Sequence, residues 1–153
     1  MNTSMKPLVY SMQFRGEATP FAPGILSAAM NAPSGALLTT IDADGVHGCF
    51  QPAPGEEATF RARLAFADAS SFEEHGTILF GTAHALHLRS VGVGVLGPSP
   101  DPHLHHGTVM WQVERGEGQF AEAQGRITSN FFVSDTGELT DHQVGVIFVK
   151  EPR

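Results

Sequence analysis

The stretch GTVMWQVERGEGQFAEAQG, Gly107 to Gly125, decides the fold. Thr108, Met110, Gln112 and Glu114 alternate with Val109, Trp111, Val113 and Arg115, the period of two by which a strand turns successive side chains to opposite faces. Gly116 and Gly118 then supply the conformational freedom of a tight connection, and Gly125 permits a bend or a close backbone approach. The segment predicts a strand, a glycine-punctuated turn and a second strand.

Working outward, the same alternation recurs. Leu8, Tyr10, Met12 and Phe14 mark a first strand, and Phe60, Ala62, Leu64 and Phe66 another. Ala36–Ile41 and Val46–Phe50 flank Asp42-Ala-Asp-Gly45, a hairpin turn whose Asp and Gly tolerate left-handed backbone. Thr77–Phe80, Ala83–Leu96, Gly107–Arg115, Gln119–Val133 and Glu138–Lys150 complete the predicted strands. Prolines and glycines between 17 and 36 predict mostly loop there, with one helical turn over Ile25–Met30. Consecutive short-linked strands predict an all-β protein, a closed antiparallel barrel of about eight strands, whose closure removes exposed edges. The 153 residues form one domain, residues 1–55 giving N-terminal strands and loops and 56–153 the core of the barrel.

Composition narrows the function classes. Sixteen acidic against nine basic residues, with no Lys/Arg-rich run, argue against nucleic acid and anionic membrane as partners. Charged residues make up 16% of the chain, against roughly 25% in ordinary soluble domains. That sparse charge suits a subunit interface or an enclosed apolar cavity. No run is long and apolar enough for a spanning helix, residues 1–15 lack a signal-peptide core, and one cysteine makes no internal disulfide. The expectation is a cytoplasmic protein, with Cys49 a half-buried structural thiol.

Val113-Glu-Arg-Gly-Glu-Gly-Gln-Phe120-Ala-Glu-Ala-Gln-Gly125, together with the upstream Ile78-Leu-Phe-Gly-Thr-Ala-His-Ala-Leu-His-Leu88, resembles the allene oxide cyclase and dirigent-like β-barrels over about residues 58 to 150. The resemblance implies a calycin-type closed barrel of eight strands, often dimeric or trimeric, whose apolar lumen folds a reactive, flexible substrate into one shape for cyclisation or coupling. The acidic residue and ordered water credited with catalysis in the cyclases lie in their N-terminal region. Residues 1–55 here do not match that region, so those roles do not carry over.

The run Asp101-Pro-His103-Leu-His105-His106 is the sharpest chemical feature. His103 and His105 share a face if extended, the spacing that offers two imidazoles to one metal, and Gly97 followed by His-x-His is similar to half of a cupin motif. Val109 and Met110 stand where that motif expects glutamate. His103, His105 and His106 otherwise suit proton transfer or substrate orientation. Arg89 and Glu114 pair or hold an enolate if their face points inward, and are solvated charges if it points outward. Glu114 reads as outward, and the pattern leaves Arg89 open. Trp111, Phe120, Phe132, Asn130 and His87 are the candidate substrate contacts, with core packing the plainer fate of the aromatics. The Asp141–His142 pair, adjacent in sequence, cannot form a dyad on a strand, and the segment from Ser134 to His142 reads as hairpin loop.

The expected protein is a cyclase- or isomerase-type barrel enzyme without a cofactor, holding a hydrophobic oxygenated small molecule and associating with copies of itself. The alternatives are a lipocalin-like carrier and a metal-dependent, cupin-like barrel using His103 and His105.

Overall fold

The computed structural model describes residues 4–151. Eleven strands follow one another: β1 (Met5–Ala22), β2 (Ile25–Ala32), β3 (Gly35–Asp42), β4 (Gly45–Pro52), β5 (Ala58–Phe66), β6 (Ser71–Phe80), β7 (His84–Ser90), β8 (Gly94–Pro98), β9 (Leu104–Glu117), β10 (Gln124–Ser134) and β11 (Glu138–Lys150). All pairings are antiparallel. Going round the barrel, β1, β2, β5, β6, β7, β9, β10 and β11 each pair with the next, and β11 returns to β1. β8 continues β7 after the interruption at Val91–Val93, pairing with the same neighbours, β6 and β9. The two are segments of one stave, and the barrel is closed with eight. β3 and β4 form a separate hairpin.

Closure sorts every strand into an inner and an outer row. The inner rows carry Phe14, Met30, Phe60, Leu64, Phe72, Ile78, Leu86, Trp111, Ile127, Phe131 and Ile147, all buried. Aromatic rings pack at three levels along the axis. Phe66, Phe72 and Phe131 lie towards one end, Phe14, Phe60 and Trp111 in the middle, and Tyr10, Phe80 and Phe120 at the other end, with centroids 5.2–6.0 Å apart. These are the offset and edge-on separations that aromatic pairs favour. The end containing Phe120 is plugged by the 3₁₀ turn Gly118–Phe120.

The N-terminal third departs from expectation. Residues predicted as loop and helical turn are strand: β1 runs on to Ala22 and β2 spans Ile25–Ala32. Pro20 sits where the β1–β2 register shifts, and Pro23 and Pro33 lie outside the strands, so none interrupts a ladder. The barrel therefore begins at β1 rather than near residue 56. The β3–β4 hairpin forms about the predicted turn, with Leu38, Ile41 and Val46 exposed on it. Cys49 lies exposed on the same hairpin rather than half-buried.

Gly118 has φ of +66°, as its predicted turn role requires, while Gly107 serves packing. A Cβ at Gly107 would enter the Phe131 ring, whose far end occupies the space over the bare backbone. Among the described residues no helix is long and apolar enough to cross a membrane. Replacing Gly107 by Val is expected to cost about 1–3 kcal/mol through overpacking. The check is urea unfolding, with a lowered midpoint at unchanged slope. An unchanged midpoint would show that Phe131 does not depend on that seat.

Candidate functional site

Two inner positions carry carboxyl groups. On β6 the inward row reads Phe72, Glu74, Gly76, Ile78, and on β11 it reads Leu139, Asp141, Gln143, Gly145, Ile147. Glu74 and Asp141 are thereby sealed inside the barrel, 4% and 1% exposed. The Trp111 indole N–H donates to Glu74 Oε1 at 3.0 Å. Asp141 accepts from the Ser129 hydroxyl at 2.5 Å and from the Gln143 amide at 2.8 Å. Both carboxyl groups line a common void of about 20 Å³, together with Met30, Leu64, Trp111, Ser129 and Phe131. That is space on the scale of one water-sized group.

The environment drives the two ionisations apart. Burial pushes Glu74 up to about 8, reinforced by the charge of Asp141 and only partly opposed by the Trp111 hydrogen bond. Burial also raises Asp141, to about 6, while its Ser129 and Gln143 donors hold it down. Near neutrality the pair therefore holds one proton, on Glu74, and one charge, on Asp141. Two carboxyls whose pKa values are split by their surroundings form an acid and a base side by side. Tyr10, on the plugged side of this layer, is raised well above the ordinary phenol value by burial and by Asp141. Its hydroxyl and Gln143 Oε1 are buried without hydrogen-bond partners.

The barrel opens at the other end. The β1–β2 turn, the β5–β6 loop and the end of β8 surround a cavity of about 1000 Å³. Its wall is largely apolar, with Phe21, Leu26, Phe66, Leu96 and Val133, and His105 is its imidazole. Leu26, Phe66 and Val133 each sit one inward-facing position above Ala28, Leu64 and Phe131, which border the inner void. A single layer of side chains separates the mouth from the carboxyl pair. The middle of the barrel is filled, so the space for a guest is at the mouth rather than along the whole axis.

The structure distributes the sequence-derived candidates widely. His105 faces the mouth. His103 points to Asp135 of the β10–β11 turn, with Nδ1 3.4 Å from its carboxylate. His106 faces outward and stacks on Phe132 at 5.4 Å. The three imidazoles diverge, and no three His, Cys, Asp or Glu converge among the described residues. Arg89 and Glu114 are outside the barrel, 3.8 Å apart. His87 is also on the outer face, between Thr77 Oγ1 at 3.0 Å and Glu117 at 2.8 Å. Asn130 is exposed and Phe132 only half-buried, both on the outward row of β10. Trp111 lies inside, against Glu74. Phe120 also lies inside, but at the plugged end, away from the mouth.

Glu74 and Asp141 were not among those candidates, although a signal existed. Each occupies an inward parity whose other members are apolar or Gly, apart from Gln143. In Glu73-Glu74 the exposed neighbour disguises the buried one. Asp141 is hidden because the predicted strand Glu138–Lys150 overlaps the segment from Ser134 to His142, which also reads as hairpin loop.

An eight-stranded antiparallel barrel with one open apolar end and a polar pair beneath it defines the class by architecture. The solved structure of the pterocarpan synthase dirigent protein superposes on 96% of this chain and 90% of its own, with TM-score 0.57 and 13% identity. The two share a fold. No family model matches the chain, and no curated protein matches it in sequence.

Stability should register the buried pair. Glu74 and Asp141 have ordinary values of 4.5 and 3.8, against about 8 and about 6 in the fold. Between those limits the native state binds more protons than the unfolded chain, so stability falls as pH rises and the loss is complete only above the folded values. Between pH 6 and 8 the Glu74 contribution is on the order of 2–3 kcal/mol. Urea unfolding at several pH values should show this decline in the wild type and a flatter profile in Glu74→Gln. Identical slopes in the two proteins would refute the raised ionisation of Glu74.

Proposed function

We propose that the barrel holds a hydrophobic, oxygen-bearing small molecule at its open end and guides a cyclisation or isomerisation by fixing its conformation. The observation that carries this reading is the acid–base pair Glu74–Asp141, one side-chain layer beneath an apolar mouth of about 1000 Å³. A flexible guest gains from the wall both burial and orientation, the contribution that converts a floppy reactant into a near-attack geometry. Glu74, protonated, donates to a carbonyl or ether oxygen, and Asp141, ionised, accepts from a hydroxyl. Leu64 and Phe131, one inward position below Phe66 and Val133 of the mouth, are the partition. His105 lies at the rim, placed to orient the oxygenated end of the guest. The shared fold with a dirigent protein supports a barrel that guides a small molecule.

A carrier without catalysis is the second reading, favoured by that same layer, since it keeps the mouth apart from the carboxyls. The two readings separate in one experiment. Native mass spectrometry against a set of apolar oxygenated compounds identifies a guest, whose conversion is then followed in wild type, Glu74→Gln and Asp141→Asn. The enzyme reading predicts retained binding and turnover reduced about 100-fold or more in each variant. Bound guest that never changes supports the carrier, and turnover unaffected in both variants contradicts the acid–base assignment.

Self-association belongs to the same proposal. Val9, Val144, Val146 and Phe148 form an outward apolar row on β1 and β11, with Val9 opposite Val146 in the ladder. A second copy placing its own row there would bury side chains that a sparsely charged surface leaves open. Sedimentation should show an oligomer that the double variant Val9→Asp, Val146→Asp reduces to a monomer. An unchanged mass in that variant would remove this row as the interface.

A further inference from the structure

The outer face of β5, β6, β7 and β9 concentrates positive charge in a chain whose acids outnumber its bases sixteen to nine. Four of the nine Lys and Arg residues lie there: Arg61, Arg63, Arg89 and Arg115. The ladders set them in two rows. Arg63 is opposite His75, which is opposite Arg89, and Arg61 is opposite Thr77, then His87, then Arg115. Like charges brought together across strands oppose folding, so such rows are costly unless something neutralises them.

The carboxylates on this face do so only in part. Glu114 lies 3.8 Å from Arg89 and 3.7 Å from His75, and Glu117 holds His87. Among the described residues no carboxylate comes within 4 Å of Arg61, Arg63 or Arg115. These three line one open groove of about 550 Å³, with Ser27, Thr77 and His87 as further hydrogen-bonding groups; the Glu114 carboxylate, turned to Arg89 and His75, also lines it.

Two of the arginines are also held in place. Arg61 Nη1 donates to the Phe60 and Met30 carbonyls at 3.1 and 3.3 Å. The Arg63 guanidinium lies 3.5 Å from the centroid of the Phe21 ring. Positioned guanidinium groups lose less freedom on gaining an oxyanion than mobile ones, and their fork matches phosphate or carboxylate. From β5 to β9 is three strand spacings, about 14 Å. That span exceeds what a single phosphate covers.

We propose that this groove binds an elongated small anion carrying two or more oxyanion groups, one end on Arg61 and Arg63 and the other on Arg115. The site is on the outside of the barrel wall and stands independently of what the mouth binds.

The test is isothermal titration at low ionic strength with tripolyphosphate and, separately, citrate, which distinguishes phosphate from carboxylate recognition. The expected result is saturable binding of at least one of them, at one site per chain. Arg61→Gln and Arg115→Gln should each weaken it about tenfold, the scale of one charge-assisted hydrogen bond. Arg126→Gln, on the outer row of β10, is the control and should bind as wild type. Unchanged Trp111 emission verifies that each variant is folded. Absence of saturable binding with both anions would overturn the proposal, as would equal weakening by Arg126→Gln, which would mean general charge attraction. Self-association that needs Arg61 and Arg115 while neither anion binds would assign the groove to an acidic partner copy and overturn it equally.

Discussion

The ladder between β9 and β10 closes the sheet, and the interior depends on it. Nine residues from Arg126 to Ser134 pair with β9 on one side while the same strand pairs with β11 on the other. Once the ring is shut, each strand has one inward parity and no freedom to slip, because a one-residue shift would exchange the inner and outer rows. That register brings Trp111 of β9, Ser129 of β10 and Asp141 of β11 to one level, facing Glu74 of β6. An open sheet would leave these groups in water, where neither carboxyl would have reason to keep its proton.

Closure also makes the carboxyl pair expensive. Two acids in a wall of Phe, Leu, Ile and Met cannot both ionise without placing two negative charges in a medium that solvates neither. The structure resolves this by asymmetry: Asp141 has two donors and Glu74 one. Such groups reduce stability relative to apolar residues of the same size, as incompletely satisfied buried polar clusters do. Their position directly below the open end joins that cost to the proposed chemistry. The outer groove shows the same tension with opposite sign, cations crowded in an acidic chain.

Most of the architecture was legible in the sequence where alternation was strong. Phe60–Phe66, Gly107–Arg115 and Glu138–Lys150 carry clean two-residue periods, and their strands and the closed barrel follow. The N-terminal third was not legible, because Pro20, Pro23 and Pro33 resemble loop punctuation. In the barrel they fall at a register shift and outside strands, where proline costs no ladder bond. The site was harder to read than the fold. Histidines draw attention in a sequence because of their chemistry, yet His103 falls in the turn before β9, and His105 and His106 take opposite faces of that strand. Which face of a strand lies inside is a property of the closed ring, and only that knowledge turns Glu74 and Asp141 from ordinary acids into buried ones. Glu114, by contrast, reads correctly as outward, since its parity opposes that of Trp111.

Trp111 is the only tryptophan in the chain, and its indole N–H touches the carboxyl group on which the functional reading rests. Its emission, followed from pH 5 to 9.5 in the folded protein, therefore reports the ionisation of Glu74 directly. A single transition centred near 8, absent from Glu74→Gln, is the expected result. Emission that stays flat across that range, or a transition that persists in Glu74→Gln, would contradict a protonated acid at the heart of the barrel.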